Sequence, residues 1–250
     1  MIKETRWMVQ RQARRIGRDI STIPGTLKQW QAFWGQYQAY RKLAPAGRKP
    51  NAYTLYPCVE DATSTTPVEP VYFYQDTWAF GLIAKDKPAE HIDIGSSHRF
   101  NGFLSQIVPV TMVDIRPLPV TLPGLNFREG SILNLPMADA SVHSLSSICV
   151  IEHIGLGRYG DDLDPDGSEK SIAEIKRVIA PGGNVYVSVP IEKRERTYFN
   201  AHRAFTTEGF LKRFEPFTLK EVRYIVGNDF VEQQPEANCV GCFHFCREDV

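Results

Sequence analysis

The chain has 250 residues, 42% hydrophobic and 23% charged, an ordinary composition for a folded domain with a sizeable core. Its 29 basic and 29 acidic residues cancel, so the chain as a whole is not built to bind nucleic acid, and no such partner is favoured. No stretch approaches the roughly 18–20 consecutive apolar residues of a membrane span, no apolar leader segment opens the sequence, and five unevenly spaced cysteines make no disulfide framework; the expected location is cytoplasmic.

The charge is unevenly distributed. Residues 1–50 carry eleven Lys/Arg against two acids, Glu4 and Asp19, and read as a basic, aromatic helical extension. One helix is expected over about Ile2–Ile20 and a second from Pro24-Gly25 to about Leu43. In the second, Leu27, Trp30, Phe33, Trp34, Tyr37 and Tyr40 recur at three- and four-residue spacing, which places them on one helical face. Such a face can pack on the main domain, on a second copy, or on an anionic membrane surface. Peripheral membrane or protein contact through residues 1–45 is therefore the expected use, with the oligomeric state open. Residues 51–87 follow as an irregular and helical lead-in, broken by Pro57, Pro67 and Pro70. It ends in a dense aromatic helix carrying Tyr72, Phe73, Tyr74, Trp78 and Phe80.

From residue 88 to 250 short apolar runs alternate with helical stretches, the pattern of βαβ units around a parallel sheet. Strands are expected at about His91–Ile94, Val110–Asp114, Leu125–Glu129, Ser144–Val150 and Asn184–Val189, and helices near Phe100–Ile107 and Glu169–Ile179. Ala180-Pro181-Gly182-Gly183 is read as the stop of the latter. A helix near Thr207–Phe214 and two long strands, Thr218–Val226 and Cys239–Arg247, close the chain. The expected fold is a doubly wound, mostly parallel seven-stranded α/β sheet with a C-terminal antiparallel hairpin, preceded by the helical extension.

Ligands of open α/β sheets bind beyond the carboxyl ends of the strands, so the strand ends are the places to search. The first ends Asp93-Ile94-Gly95-Ser96-Ser97. Gly95 lets a ligand approach the backbone, and Asp93 can meet an ammonium group directly or through water. The second ends Asp114-Ile115, where an acid can accept both ribose hydroxyls of an adenosine. After the third, Ser131 and Ile132 are placed to touch an adenine's edge and face. The fourth runs through Val150 into Glu152 and His153, where polar groups abruptly follow an apolar strand.

The loop behind it, Gly155 to Gly167, is rich in glycine and acid and can wall a substrate site. Its Asp162, Asp164, Asp166 and Gly167 resemble the start of a calcium loop, but the closing Glu of that template falls on Ala173, and Pro165 interrupts it. A capped helix start is expected there. Farther on, His202 can serve as a general base and Arg203 can clamp an acidic group. Cys239, Cys242, His244 and Cys246 superficially suggest zinc. On a strand, however, Cys239 points away from the other three, so core cysteines and no metal are expected.

Taken together, these segments resemble the class I (Rossmann-like) methyltransferases. The resemblance rests on Asp93-x-Gly95, Asp114, the run Glu129 to Pro136, Asp139-Ala140-Ser141, Ile151-Glu152-His153-Ile154 and Glu174-Ile175-Lys176-Arg177-Val178-Ile179-Ala180-Pro181-Gly182-Gly183. More narrowly it is similar to a little-characterised domain-of-unknown-function family of that clan. The shared segments are Tyr72 to Asp76, Asp93 to Ser96, Glu152 to Asp161 and Asn200-Ala201-His202-Arg203.

The resemblance implies S-adenosylmethionine as cofactor. Asp93, Gly95 and Ser96 would line its methionine end, Asp114 would hold its ribose and Ser131 and Ile132 its adenine, with Ser97, Ile115 and Val150 as further cofactor-binding residues. It implies methyl transfer to a small-molecule or glycan acceptor, with His153 or His202 as base and Glu152 or Asp161 as orienting groups. If the acceptor is a carbohydrate, donor and acceptor chemistry lets the acidic loop 161–166 bind its hydroxyls. Two departures stand out: one glycine remains of the usual glycine-rich turn, and Ser131 replaces the Asp many members use. A non-catalytic methyltransferase-like scaffold is the alternative. A nicotinamide-dependent oxidoreductase is disfavoured by the missing fingerprint glycines and the terminal hairpin.

Overall fold

A computed structural model describes residues 23–249. The helix expected over Ile2–Ile20 lies outside them. The chain divides after Pro67 into two compact units.

In the first unit, helix α1 (Ile23–Leu43) carries the expected aromatic face. Trp30 meets Phe33 edge-on at 5.7 Å between ring centroids, and Trp34 meets Tyr37 in the same way at 5.7 Å. Two short turns follow, and Asn51 closes a capping box over the second. Among the described residues no helix is long and apolar enough to cross a membrane.

The second unit begins at Val68, ahead of the start expected at residue 88. The reason is helix α2 (Pro70–Asp86), which buries Gln75, Trp78, Ala79 and Ile83. Pro70 stands in its first turn and Glu69 caps it by accepting from the Tyr72 N–H at 2.7 Å.

The strands are β1 (His91–Ile94), β2 (Val110–Asp114), β3 (Leu125–Glu129), β4 (Val142–Ile148), β5 (Ile179–Ile191), β6 (Arg196–Tyr198), β7 (His202–Ala204), β8 (Thr218–Val226), β9 (Asp229–Val231) and β10 (Cys239–Cys246). The main sheet runs β3-β2-β1-β4-β5-β10-β8-β9, while β6 and β7 form a separate ribbon. Strands β1 to β5 pair in parallel, and β10 lies antiparallel between β5 and β8. The sheet has eight strands rather than the expected seven, because Gly227 (φ +57°) turns the chain back and β9 adds to β8.

Helices α3 (His98–Leu104), α4 (Gly167–Val178) and α5 (Thr207–Phe214) complete the layers. One core holds Ile172, Ile175 and Val178 of α4 and Phe210 and Phe214 of α5 against Val185, Val187 and Phe243. The other holds Trp78 and Ile83 of α2 and Phe100 and Leu104 of α3 against Val110, Tyr186 and Cys242. Alternate residues of β5 and β10 thus feed opposite cores, as strand periodicity requires.

The stop expected at Ala180 to Gly183 is corrected in detail. The helix ends at Val178, Ile179 is already extended, and Pro181-Gly182-Gly183 bends inside β5. There Gly182 donates to the Arg247 carbonyl at 2.7 Å, so these glycines serve a strand rather than a left-handed helix cap. At the C-terminus, Cys239 and Cys242 are buried in opposite cores and His244 bonds Asn184 at 2.7 Å.

Candidate cofactor and acceptor cleft

The strand order reverses between β1 and β4, and a crevice opens at the carboxyl ends on either side of that switch. It encloses about 450 Å³, within the range of small-ligand sites. Gly95, Ser96, Ser97, Asp114, Ile115, Ser131, Ile132, Val150, His153 and Asp161 all line it. Asp93, Glu152 and His202 do not.

The floor is the turn after β1. Gly95 has φ +65°, and its N–H donates to the Val113 carbonyl at 2.9 Å. A Cβ here would stand 3.3 Å from Val150 Cγ1 and 3.9 Å from Asp114 Oδ2, so only glycine keeps the crevice open at this level. The two serines that replace further glycines each have a structural partner. Ser96 Oγ accepts the Ile148 N–H at 2.9 Å, joining the turn to β4, and Ser97 Oγ caps α3 by accepting from Arg99 N. The reduced glycine loop is therefore a stapled turn, not a collapsed one.

Asp93 corrects an expectation. Its carboxylate is fully buried beneath the turn and accepts from Ser96 N at 3.1 Å, Asn101 Nδ2 at 2.6 Å and Ser146 Oγ at 2.6 Å. It shapes the turn and does not reach a ligand's ammonium. Burial raises its pKa against the pull of those hydrogen bonds.

Asp114 stands on the opposite wall, its side chain one-tenth exposed. Its Oδ1 accepts the Arg116 N–H at 2.8 Å, which fixes the carboxylate at the rim. Arg116 then lies over the Tyr159 ring at 4.7 Å, and Arg158 lies over the same ring at 5.1 Å. Tyr159 is thus held by cations from two loops and forms one side of the cleft. Neither arginine is distinguished by its position in the sequence. Beyond β3, Ser131 Oγ accepts the Leu133 N–H at 3.2 Å, and Ser131 and Ile132 both stand in the wall.

The catalytic candidates separate. His153 Nδ1 lies 2.6 Å from the Ala201 carbonyl and 3.4 Å from Arg158 Nη1. The shorter contact puts the proton on Nδ1 and leaves the Nε2 lone pair available. Burial lowers the pKa of His153, so it is neutral at neutral pH. Glu152 is buried with Oε1 3.6 Å from His153 Nε2, and burial pushes its carboxyl up to about 8. His202 lies on β7 against Tyr198 at 4.9 Å and is not among the residues that line the cleft.

Asp161 touches backbone instead of His153. It accepts from Gly155 N at 2.7 Å, Gly157 N at 3.4 Å and Tyr159 N at 3.2 Å, and so shapes the loop that presents Tyr159. Burial acts to raise its pKa, but those N–H groups hold it below the usual carboxylate range. Asp164 is occupied by Lys170 at 2.7 Å, so the acidic loop offers fewer free carboxylates to a sugar than its composition suggests. Arg203 is also corrected. It is buried and donates to the carbonyls of Ile154, Asp164 and Pro165, clamping the chain rather than a substrate.

The same architecture recurs among solved structures. The N-methyltransferase NodS of Bradyrhizobium japonicum, in complex with S-adenosylhomocysteine, superposes with a TM-score of 0.54 at 16% identity, covering 76% of this chain and 95% of that one. The 1,6-didemethyltoxoflavin-N1-methyltransferase of Burkholderia thailandensis, with bound S-adenosylhomocysteine, gives 0.53 at 15% identity over 75% and 94%. This chain has the class I methyltransferase fold. The [4+2]-cyclase SpnF shares it, with a TM-score of 0.52 at 11% identity over 69% and 80%, so the fold alone does not name a reaction. Residues 137–212 match the family described as Caenorhabditis protein of unknown function, DUF268, in keeping with the expected domain-of-unknown-function kinship within this clan. No curated protein sequence matches the chain.

Proposed function

We propose that the protein is an S-adenosylmethionine-dependent methyltransferase acting on a hydroxyl of a carbohydrate or other small molecule. The observation that carries this reading is the pairing of Gly95, open for want of a Cβ, with the Asp114 carboxylate across one crevice at the switch point. Asp114 is placed to accept the ribose hydroxyls. The turn Gly95-Ser96-Ser97 borders the methionine end, and Ser131, Ile132 and Ile115 border the base.

When bound, S-adenosylmethionine supplies an already activated methyl group, so the protein's task is alignment and proton removal. His153 Nε2 would accept the proton of the acceptor hydroxyl as that oxygen takes up the methyl group. The Nδ1–H···O=C bond to Ala201 keeps the ring in the tautomer that can receive it. The imidazolium formed would lie beside the Glu152 carboxyl.

A co-crystal with S-adenosylhomocysteine tests the reading. Ribose density within hydrogen-bond distance of Asp114, with the sulfur between Gly95 and His153, is the expected result. Ligand bound elsewhere, or no ligand at saturating concentration, would leave only the fold.

A further inference from the structure

Helix α1 carries rings along one face and almost nothing but polar and small residues on the other. Besides the edge-on pairs at its two ends, Trp30 stacks on Trp34 at 6.5 Å and Phe33 meets Trp34 edge-on at 5.2 Å, so Trp30, Phe33, Trp34 and Tyr37 form one continuous ladder. Tyr37 is tied back by its hydroxyl, which lies 3.4 Å from the Pro50 carbonyl. Leu27, Trp34 and Tyr40 of the same face are exposed, Trp34 by 45%. Lys28, Gln31, Gly35, Gln38 and Lys42 occupy the other face, and all are exposed.

The charge around this face has one sign. Residues 20–59 hold five Lys/Arg, namely Lys28, Arg41, Lys42, Arg48 and Lys49, and no acid. Lys28 and Arg41 bracket twelve uncharged residues. As helix these span roughly 18 Å, well short of a hydrocarbon core of about 30 Å, so they can lie along a bilayer but not cross it. Arg41 lies over the Tyr37 ring at 5.8 Å, which puts a cation on the side where the rings are presented.

We propose that α1 is a docking element for an anionic phospholipid surface, lying in the interface with Trp30, Phe33, Trp34 and Tyr37 at headgroup level and the Lys/Arg groups at its two ends against lipid phosphates. Tryptophan and tyrosine favour that depth because each joins an apolar ring to a polar N–H or O–H. A stretch with five cations and no acid complements a negative surface along its whole length.

A second copy of the chain is a poorer occupant for two reasons. It brings the same uncompensated positive charge to the contact. Helices that pair with themselves also use a repeating seam of Leu, Ile or Val, and between Lys28 and Arg41 the aliphatic residues are Ala32 and Ala39, both off the aromatic face.

The test is co-sedimentation of the whole protein with vesicles of phosphatidylcholine alone and with vesicles containing about one-third phosphatidylserine, each at low and at high salt. The expected result is binding about ten-fold or more stronger to the anionic vesicles, weakening as salt screens the charges. Trp30→Ser together with Trp34→Ser should lower binding to the anionic vesicles about ten-fold. Arg41→Gln together with Lys42→Gln should remove most of the preference for phosphatidylserine. Equal binding to the two vesicle types, no sedimentation with either, or unaltered binding by both double variants would overturn the proposal. So would tighter binding to a single-stranded RNA than to the anionic vesicles, or a dimer in solution that the tryptophan substitutions dissociate. If the tryptophan variant fails to fold, the charge variant and the vesicle comparison on the unaltered protein decide the matter.

Discussion

Ser146 Oγ donates to Asp93 Oδ2 at 2.6 Å, which joins β4 to β1 directly beneath the turn that opens the cleft. Because the serine proton goes to Asp93, the 2.8 Å contact between His91 Nε2 and Ser146 Oγ must be donated by the histidine. His91 Nδ1 is then the acceptor for Ser144 Oγ, also at 2.8 Å. Burial lowers the pKa of His91 to about 3, so the ring stays neutral and this tautomer is fixed. A carboxylate that would be costly to bury alone is stabilised by a chain of donors running back along both strands.

Asp93→Asn should destabilise the second unit by about 1–3 kcal/mol, because an amide removes one acceptor and confronts Asn101 or Ser146 with a donor. Urea unfolding measures this. A loss below about 0.5 kcal/mol would show that the network is not stabilising the turn.

Glu152 gives a pH signature. Its folded pKa of about 8 exceeds the ordinary glutamate value of 4.5, so between those values the folded state holds a proton that the unfolded state has released. Stability from this group is therefore complete at low pH and declines as pH rises from about 4.5 toward 8, by at most about 1.4 kcal/mol per pH unit. Glu152→Gln should flatten that decline, measured as unfolding free energy at several pH values. Parallel curves for the two proteins would contradict the assignment.

Gly95→Ala should fold yet bind S-adenosylhomocysteine about ten-fold more weakly. The added methyl meets Val150 at 3.3 Å and the left-handed backbone costs about 1 kcal/mol. Unchanged affinity would show that the ligand does not approach this turn.

Much of this site can be read along the chain because parallel strands deliver consecutive strand ends to one edge. Asp114 and Ile115, Ser131 and Ile132, and Val150 and His153 are each a strand end, and all six line the cleft. Side-chain direction is less legible. Asp93 is a strand-end acid like Asp114, but its parity turns it under α3, where Asn101 waits. Tyr72 precedes the repeating pattern and reaches the cleft only because Trp78, Ala79 and Ile83 anchor α2 on the sheet. In the sequence His202 and Arg203 are marked by chemistry alone, and the structure sets both on β7. The ribbon β6–β7 and the carbonyls around Arg203 direct them elsewhere.

The decisive comparison is calorimetric titration of S-adenosylhomocysteine into the unaltered protein and into Asp114→Ala. Binding by the first, weakened by about 1–3 kcal/mol in the second with little change in thermal stability, is the predicted outcome. Equal affinities in the two proteins, or no heat of binding in either, would contradict a ribose held at the end of the second strand.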